Sequence, residues 1–87
     1  MTELNLEKAK TNRKLRKDAL YEYNKINESI NEINSEEFSF VARFKTWERG
    51  EWKELYPNSK EFRNMLLSMR DRYDAEISRL DKEFEEL

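Results

Sequence analysis

Histidine and cysteine are both absent from this 87-residue chain. Without them the sequence offers no disulfide, no thiolate nucleophile, no imidazole acid or base and none of the usual transition-metal ligands. We therefore expect no metal site, no cofactor and no enzymatic activity. Because a chain without cysteine is compatible with a reducing compartment, we expect a cytoplasmic location.

Glycine and proline each occur once, as Gly50 and Pro57. A single glycine excludes a glycine-rich phosphate-binding loop. No unbroken apolar run exceeds three residues, so we expect neither a signal peptide nor a membrane-spanning segment, and no membrane contact. Because the chain is short and has so few helix-breaking residues, the sequence predicts one domain over residues 1–87.

Charged residues are abundant, at 41% of the chain against 37% hydrophobic. Seventeen basic and nineteen acidic residues give a formal net charge of -2, which opposes a general attraction to nucleic acid or anionic membrane. A chain this short with so few apolar residues builds a thin core. We therefore expect a second copy or another partner to cover part of it, and a homo-oligomer is the first expectation.

Apolar residues at helical spacing mark two long segments, residues 3–33 and 59–86. In the first, six apolar side chains step by three or four and share one face: Leu15, Ala19, Tyr23, Ile26, Ile30 and Ile33. In the second, eight do so: Phe62, Leu66, Met69, Tyr73, Ile77, Leu80, Phe84 and Leu87. Asn58 and Glu61 form a capping-box pattern before the second segment. These patterns predict two long helices with coiled-coil-like packing.

The middle of the chain is aromatic. Phe40, Phe44 and Trp47 share one helical face, and Gly50 suits a C-terminal helix cap. The alternation near Phe40 is too short to indicate a strand. We therefore predict a short helix over residues 36–49 and one further helical turn over 51–56.

The charges at the helix ends indicate how the two long helices pack. A basic cluster begins the first helix and an acidic cluster, Glu83, Glu85 and Glu86, ends the second. Antiparallel packing brings the two clusters together. The predicted fold class is therefore all-α: an antiparallel hairpin of two long helices closed by a short aromatic-rich middle helix. Residues 1–14, where the apolar face turns polar, are a candidate projecting or frayed N-terminal arm.

The aromatic segment also supplies the candidate partner-binding residues Trp47, Arg49, Trp52 and Tyr56. Tryptophan, tyrosine and arginine are the residue types enriched at interface hot spots. The alternative is that both tryptophans belong to the core.

The basic cluster is a second candidate contact surface. Its members are Lys8, Lys10, Arg13, Lys14, Arg16 and Lys17, with no acidic residue among them. Three partners fit this run: the chain's own acidic cluster or that of a second copy, nucleic acid, or an acidic protein surface.

The leading functional hypothesis is a non-catalytic protein–protein interaction module that acts by occupying a surface of a larger protein. Small inhibitors, adaptors and assembly factors, including those of phages and mobile elements, are of this size and type. One alternative is a nucleic-acid-binding protein that uses the run from Lys8 to Lys17. Another is an oligomer that binds a small anionic ligand near the two tryptophans, through Arg43, Lys45, Arg49 or Lys53.

Overall fold

The computed structural model of the chain describes residues 2–35, 38–48 and 50–87. Two long helices, α1 (Glu3–Ser35) and α2 (Ser59–Glu85), flank two short strands, β1 (Ala42–Lys45) and β2 (Trp52–Leu55). The strands pair antiparallel and form a β-hairpin between the helices. The fold is therefore mixed α/β.

Both helices begin at a polar cap. The Thr2 Oγ1 atom accepts a hydrogen bond of 3.2 Å from the backbone N–H of Asn5. Before α2, the Asn58 side chain accepts from the Glu61 N–H at 2.8 Å, and the Glu61 carboxylate accepts from the Asn58 N–H at 3.0 Å. The predicted capping box is confirmed, and it fixes the start of α2 directly after Pro57.

The two helices run antiparallel and share a narrow core, which we call the helical seam. Asn12 lies beside Leu80 at one end, and Arg70 bonds Asn27 nearer the other. The buried residues of the seam are Ala9, Asn12, Ala19, Ile26, Ile30, Leu66 and Leu80. Among the described residues, Leu80 is the one large side chain that is less than 2% exposed, so the core is thin.

The seam differs from the apolar stripe of the sequence near the start of α1. Leu15 is 48% exposed, whereas Ala9 and Asn12 are buried. The Asn12 amide Nδ2 donates a 2.8 Å hydrogen bond to the backbone carbonyl of Leu80. A polar residue is tolerated in the seam because its amide has a partner there. Residues 3–14 belong to α1, and part of this stretch is buried.

The predicted all-α fold class is wrong in the middle segment. The predicted helix over 36–49 and helical turn over 51–56 are replaced by β1 and β2, although residues 36, 37 and 49 lie outside the described residues. Gly50 lies in the connection at φ +67° and donates its N–H to the Thr46 carbonyl at 3.1 Å. It therefore serves a turn, which needs a positive φ, and does not cap a helix.

The β-hairpin stands away from the helices. In the described part of the chain, no Cα atom of either strand lies within 8 Å of a Cα atom of either helix. The radius of gyration is 17.8 Å, against about 12 Å for a compact chain of this length. The accessible surface is 7394 Å², against about 5,500 Å² for a typical monomer of this mass. The molecule is elongated and exposes unusually much surface.

Candidate protein-interaction surface on the β-hairpin

Strand pairing sorts the side chains of the β-hairpin onto two faces. Residues directly opposite each other in an antiparallel pair lie on the same face. One face carries Ala42, Phe44, Lys53 and Leu55, and the other carries Arg43, Lys45, Trp52 and Glu54. Each face therefore combines apolar and charged groups. At the base of one face, Ala42 and Leu55 line an open groove with Phe62 and Met65 of α2.

Cations surround the Trp52 ring. The Arg43 guanidinium carbon lies 5.0 Å from the ring centroid, and the Lys45 ammonium lies 6.0 Å from it. Arg43 also pairs with Glu54 at 3.6 Å, and the Tyr56 hydroxyl donates to Glu54 at 2.9 Å. Exposed contacts of this kind contribute about 0.5–1 kcal/mol or less. Their main effect is to orient the Trp52 and Tyr56 rings.

The predicted partner-binding aromatics are all exposed. Trp47, at the tip of the β-hairpin, is 102% exposed, Trp52 is 59% exposed and Tyr56 is 72% exposed. Phe44 and Leu55 add apolar surface at 43% and 55%. The two tryptophans therefore do not belong to the core, and the predicted Arg49 contact lies outside the described residues. We call Trp47, Trp52 and Tyr56 the hairpin surface; Phe44 and Leu55 lie on the face of the β-hairpin opposite Trp52.

A second aromatic group holds the base of the β-hairpin. Phe40 stacks on Phe62 of α2 with ring centroids 3.8 Å apart and an interplanar angle of 21°. Phe38 packs against the same ring at 5.4 Å. These side chains attach the β-hairpin to the start of α2. Tyr56 lines an open groove beside that attachment, whereas Trp52 and Trp47 lie toward the tip.

The residues proposed for a small anionic ligand are divided between the two faces. Arg43 and Lys45 share the Trp52 face, whereas Lys53 lies on the opposite face with Phe44. Trp47 lies in the connection between the strands. The structure therefore brings only part of this set together.

Two arginines of the basic run pair with α2. Asp81 accepts from Arg16 at 2.7 Å and from Arg13 at 3.1 Å. The hydrogen bond from Arg16, with a further one from Arg13, holds the pKa of the Asp81 carboxyl below its ordinary value. The Arg13 guanidinium also lies 4.0 Å from the centroid of the Phe84 ring. Sequence reasoning missed Asp81 because it attributed the acidic charge to the cluster at residues 83–86.

The four lysines of the run do not pair with Asp81. Lys8 lines an open groove of about 620 Å³ between the start of α1 and the end of α2, together with Glu83 and Glu86 of the acidic cluster. Lys10, Lys14 and Lys17 are exposed. Within residues 2–35, 38–48 and 50–87, none of the four forms an ion pair.

Among the described residues, no group of three or more acidic side chains is placed to hold a metal ion. Neither helix has a stretch long and apolar enough to cross a membrane.

Comparison of the chain with family models, with curated proteins and with solved structures gave no match.

Proposed function

We propose that this chain is a non-catalytic protein-binding module whose β-hairpin occupies a surface of a larger protein. One observation carries the proposal: the β-hairpin has four-residue strands and contacts α2 only at its base, where Ala42 and Leu55 line an open groove with Phe62, and in the described part of the chain neither helix covers the remainder. A two-stranded hairpin is marginally stable in water unless further strands or a helix cover it. A partner surface would supply that missing layer.

The chemistry of the hairpin surface supports a protein as the partner. Trp47, Trp52 and Tyr56 are large, stiff side chains that bury much area at little conformational cost. Arg43 and Glu54 beside them supply a polar border of both signs, as protein interfaces have around their apolar centres.

The helical pair has a separate role in this proposal. It holds the base of the β-hairpin through the stacked Phe40 and Phe62 rings and leaves the tip free. Such a module would act as an inhibitor, adaptor or assembly factor, in the manner of small proteins from phages and mobile elements. A cytoplasmic location and self-association through other exposed apolar residues are parts of the same proposal.

The experiment is quantitative affinity capture from extracts of the source cells, followed by titration with each purified captured protein. A double variant, Trp47→Ser with Trp52→Ser, removes the centre of the hairpin surface. Its matched control is Leu4→Ser with Leu6→Ser, which removes apolar side chains of α1 that are 61% and 48% exposed.

We expect the hairpin variant to bind a captured partner at least about thirtyfold more weakly, since each hot-spot truncation costs about 2 kcal/mol or more. The control variant should bind as the unmodified chain does. Equal losses in the two variants, or no loss in the hairpin variant, would contradict the proposal.

A further inference from the structure

The face of α1 turned away from α2 carries three lysines. At 100° per residue, Lys10, Lys14 and Lys17 fall within about 60° of one another, and Tyr21 falls in the same sector. The centre of this sector lies roughly opposite the buried Asn12 and Ala19. All four side chains are exposed, Tyr21 to 65%, and the Lys25 ammonium lies 5.2 Å from the centroid of the Tyr21 ring, so a base would stack on the other side of that ring. We call Lys10, Lys14 and Lys17 the lysine stripe.

Two carboxylates of α1, Glu7 and Asp18, flank the lysine stripe one turn from Lys10 and Lys14, but neither forms an ion pair with it in the described part of the chain. Arg13 and Arg16 of the same run are held by Asp81, whereas the stripe forms no ion pair with any described residue. Like charges three and four residues apart destabilise a helix. The stripe therefore opposes helix formation in the free chain, and a bound polyanion would relieve that repulsion.

We propose that the lysine stripe binds the phosphate backbone of a single-stranded nucleic acid, with one base stacked on Tyr21. The stripe and Tyr21 together cover about 16 Å of helix axis. A positively charged track beside an exposed aromatic ring is the arrangement with which proteins bind single strands independently of sequence. This binding does not involve the β-hairpin and is independent of the protein partner proposed above.

A nucleic acid fits the lysine stripe better than an acidic protein surface does. Protein interfaces centre on several buried apolar anchors. Residues 10–21 contain a single aromatic residue, Tyr21, so this sector lacks such a centre. Lysines act as point charges toward phosphates and need no shaped partner. The net charge of -2 opposes a general attraction, so the contact is local and its affinity modest.

The test is fluorescence anisotropy of a labelled oligothymidylate of about twelve nucleotides. Three neutralised phosphates on a single strand give a logarithmic salt slope of about -2, so affinity should fall about twentyfold between 50 mM and 200 mM salt. Absence of binding at the lower salt concentration, or a salt slope near zero, would overturn the proposal.

Three variants locate the contact. The triple variant Lys10→Gln, Lys14→Gln, Lys17→Gln should lose binding. A control with the same net charge, Lys53→Gln, Lys60→Gln, Lys82→Gln, should retain it. Tyr21→Ala should weaken binding to oligothymidylate at least about fivefold, as stacking losses do, but leave binding to an abasic strand of equal length unchanged.

Three results would contradict the assignment. The first is equal losses in the two triple variants. The second is a Tyr21→Ala effect of the same size on the abasic strand. The third is polyglutamate competing as well as oligothymidylate at equal charge, which would make an acidic protein the better partner.

Discussion

The helical seam and the β-hairpin place leucine in opposite environments. Leu80 in the seam is 1% exposed, whereas Leu55 in β2 is 55% exposed. The seam buries its apolar groups and satisfies its one buried amide within the chain. The β-hairpin exposes most of its apolar side chains, although these include the largest aromatic residues of the chain. One region is thus stabilised by its own contacts, and the other leaves most of its apolar side chains in solvent.

The sharpest way to test this difference is to truncate both leucines. Leu80→Ala should lower the free energy of unfolding by about 2–5 kcal/mol, because it removes a fully buried side chain and leaves a cavity. Leu55→Ala should change it by less than about 0.5 kcal/mol. Urea denaturation followed by circular dichroism measures both. Similar losses in the two variants would remove the distinction between the regions.

The buried amide of the seam gives the next effect. Asn12→Ala removes the donor to the Leu80 carbonyl, and loss of a buried hydrogen bond should lower the free energy of unfolding by about 1–3 kcal/mol. Thr11→Ala, one residue away and exposed, should stay within about 0.5 kcal/mol. The same urea titration compares them. An effect of Thr11→Ala as large as that of Asn12→Ala would show that the amide has no special role.

A substitution in the β-hairpin should destabilise the β-hairpin and leave the helical seam unchanged. Gly50→Ala forces an L residue to φ +67°, at a cost of about 1–2 kcal/mol to the turn. The added Cβ would meet only the Lys45 Cε atom, at 4.0 Å, so the effect is one of backbone conformation. Gly50→Asn should cost less, because asparagine enters this region more readily.

Amide hydrogen exchange measures the Gly50 prediction directly. In Gly50→Ala, the amides of β1 and β2 should lose protection while those of α1 and α2 keep theirs. A parallel loss in the helices would show that the β-hairpin and the seam unfold as one unit.

The smallest expected effect is electrostatic. The pKa of Asp81 is lowered in the folded chain by hydrogen bonds from Arg16 and Arg13. Its contribution to stability is therefore complete above the ordinary aspartate pKa and is lost as pH falls through the lowered value. Asp81→Asn should lower the urea midpoint slightly near pH 7 and converge with the unmodified chain below the folded-state pKa.

A matched variant separates this ion pair from general charge effects. Asp71→Asn removes an exposed carboxylate of α2 that has no ion pair in the described part of the chain. Its midpoint should not change at neutral pH. A difference between the unmodified chain and Asp81→Asn that persists at low pH would assign the effect to packing.

The two helices could be predicted from the sequence because apolar residues that recur at helical spacing over many turns fit no other secondary structure. The bounds predicted from apolar spacing, 3–33 and 59–86, lie within two residues of Glu3–Ser35 and Ser59–Glu85. The exact seam could not be read at the start of α1. Leu15 is more hydrophobic than Asn12, and the asparagine becomes the better buried residue because its amide donates to the Leu80 carbonyl and accepts from the Arg13 guanidinium.

The β-hairpin could not be read because its strands are shorter than the pattern needed to identify them. Phe40, Phe44 and Trp47 are spaced for a helix, whereas Ala42 and Phe44 alternate as in a strand. The deciding contacts, such as Arg43 with Glu54, join residues whose pairing is unknown before the fold. The exposure of Trp52 depends on that pairing, and the exposure of Trp47 depends on its place in the connection between the strands. Neither could be predicted from the sequence.

The separation of the two regions also divides the optical signals of the molecule. The chain has two tryptophans, Trp47 and Trp52, and neither lies in a helix. Far-ultraviolet ellipticity is dominated by α1 and α2, whereas indole emission originates in the β-hairpin. Selective excitation of indole therefore follows the exposed region in the unmodified protein without any attached dye. Desolvation of those rings by a docking partner would shift their emission to shorter wavelength while the helical signal stays constant.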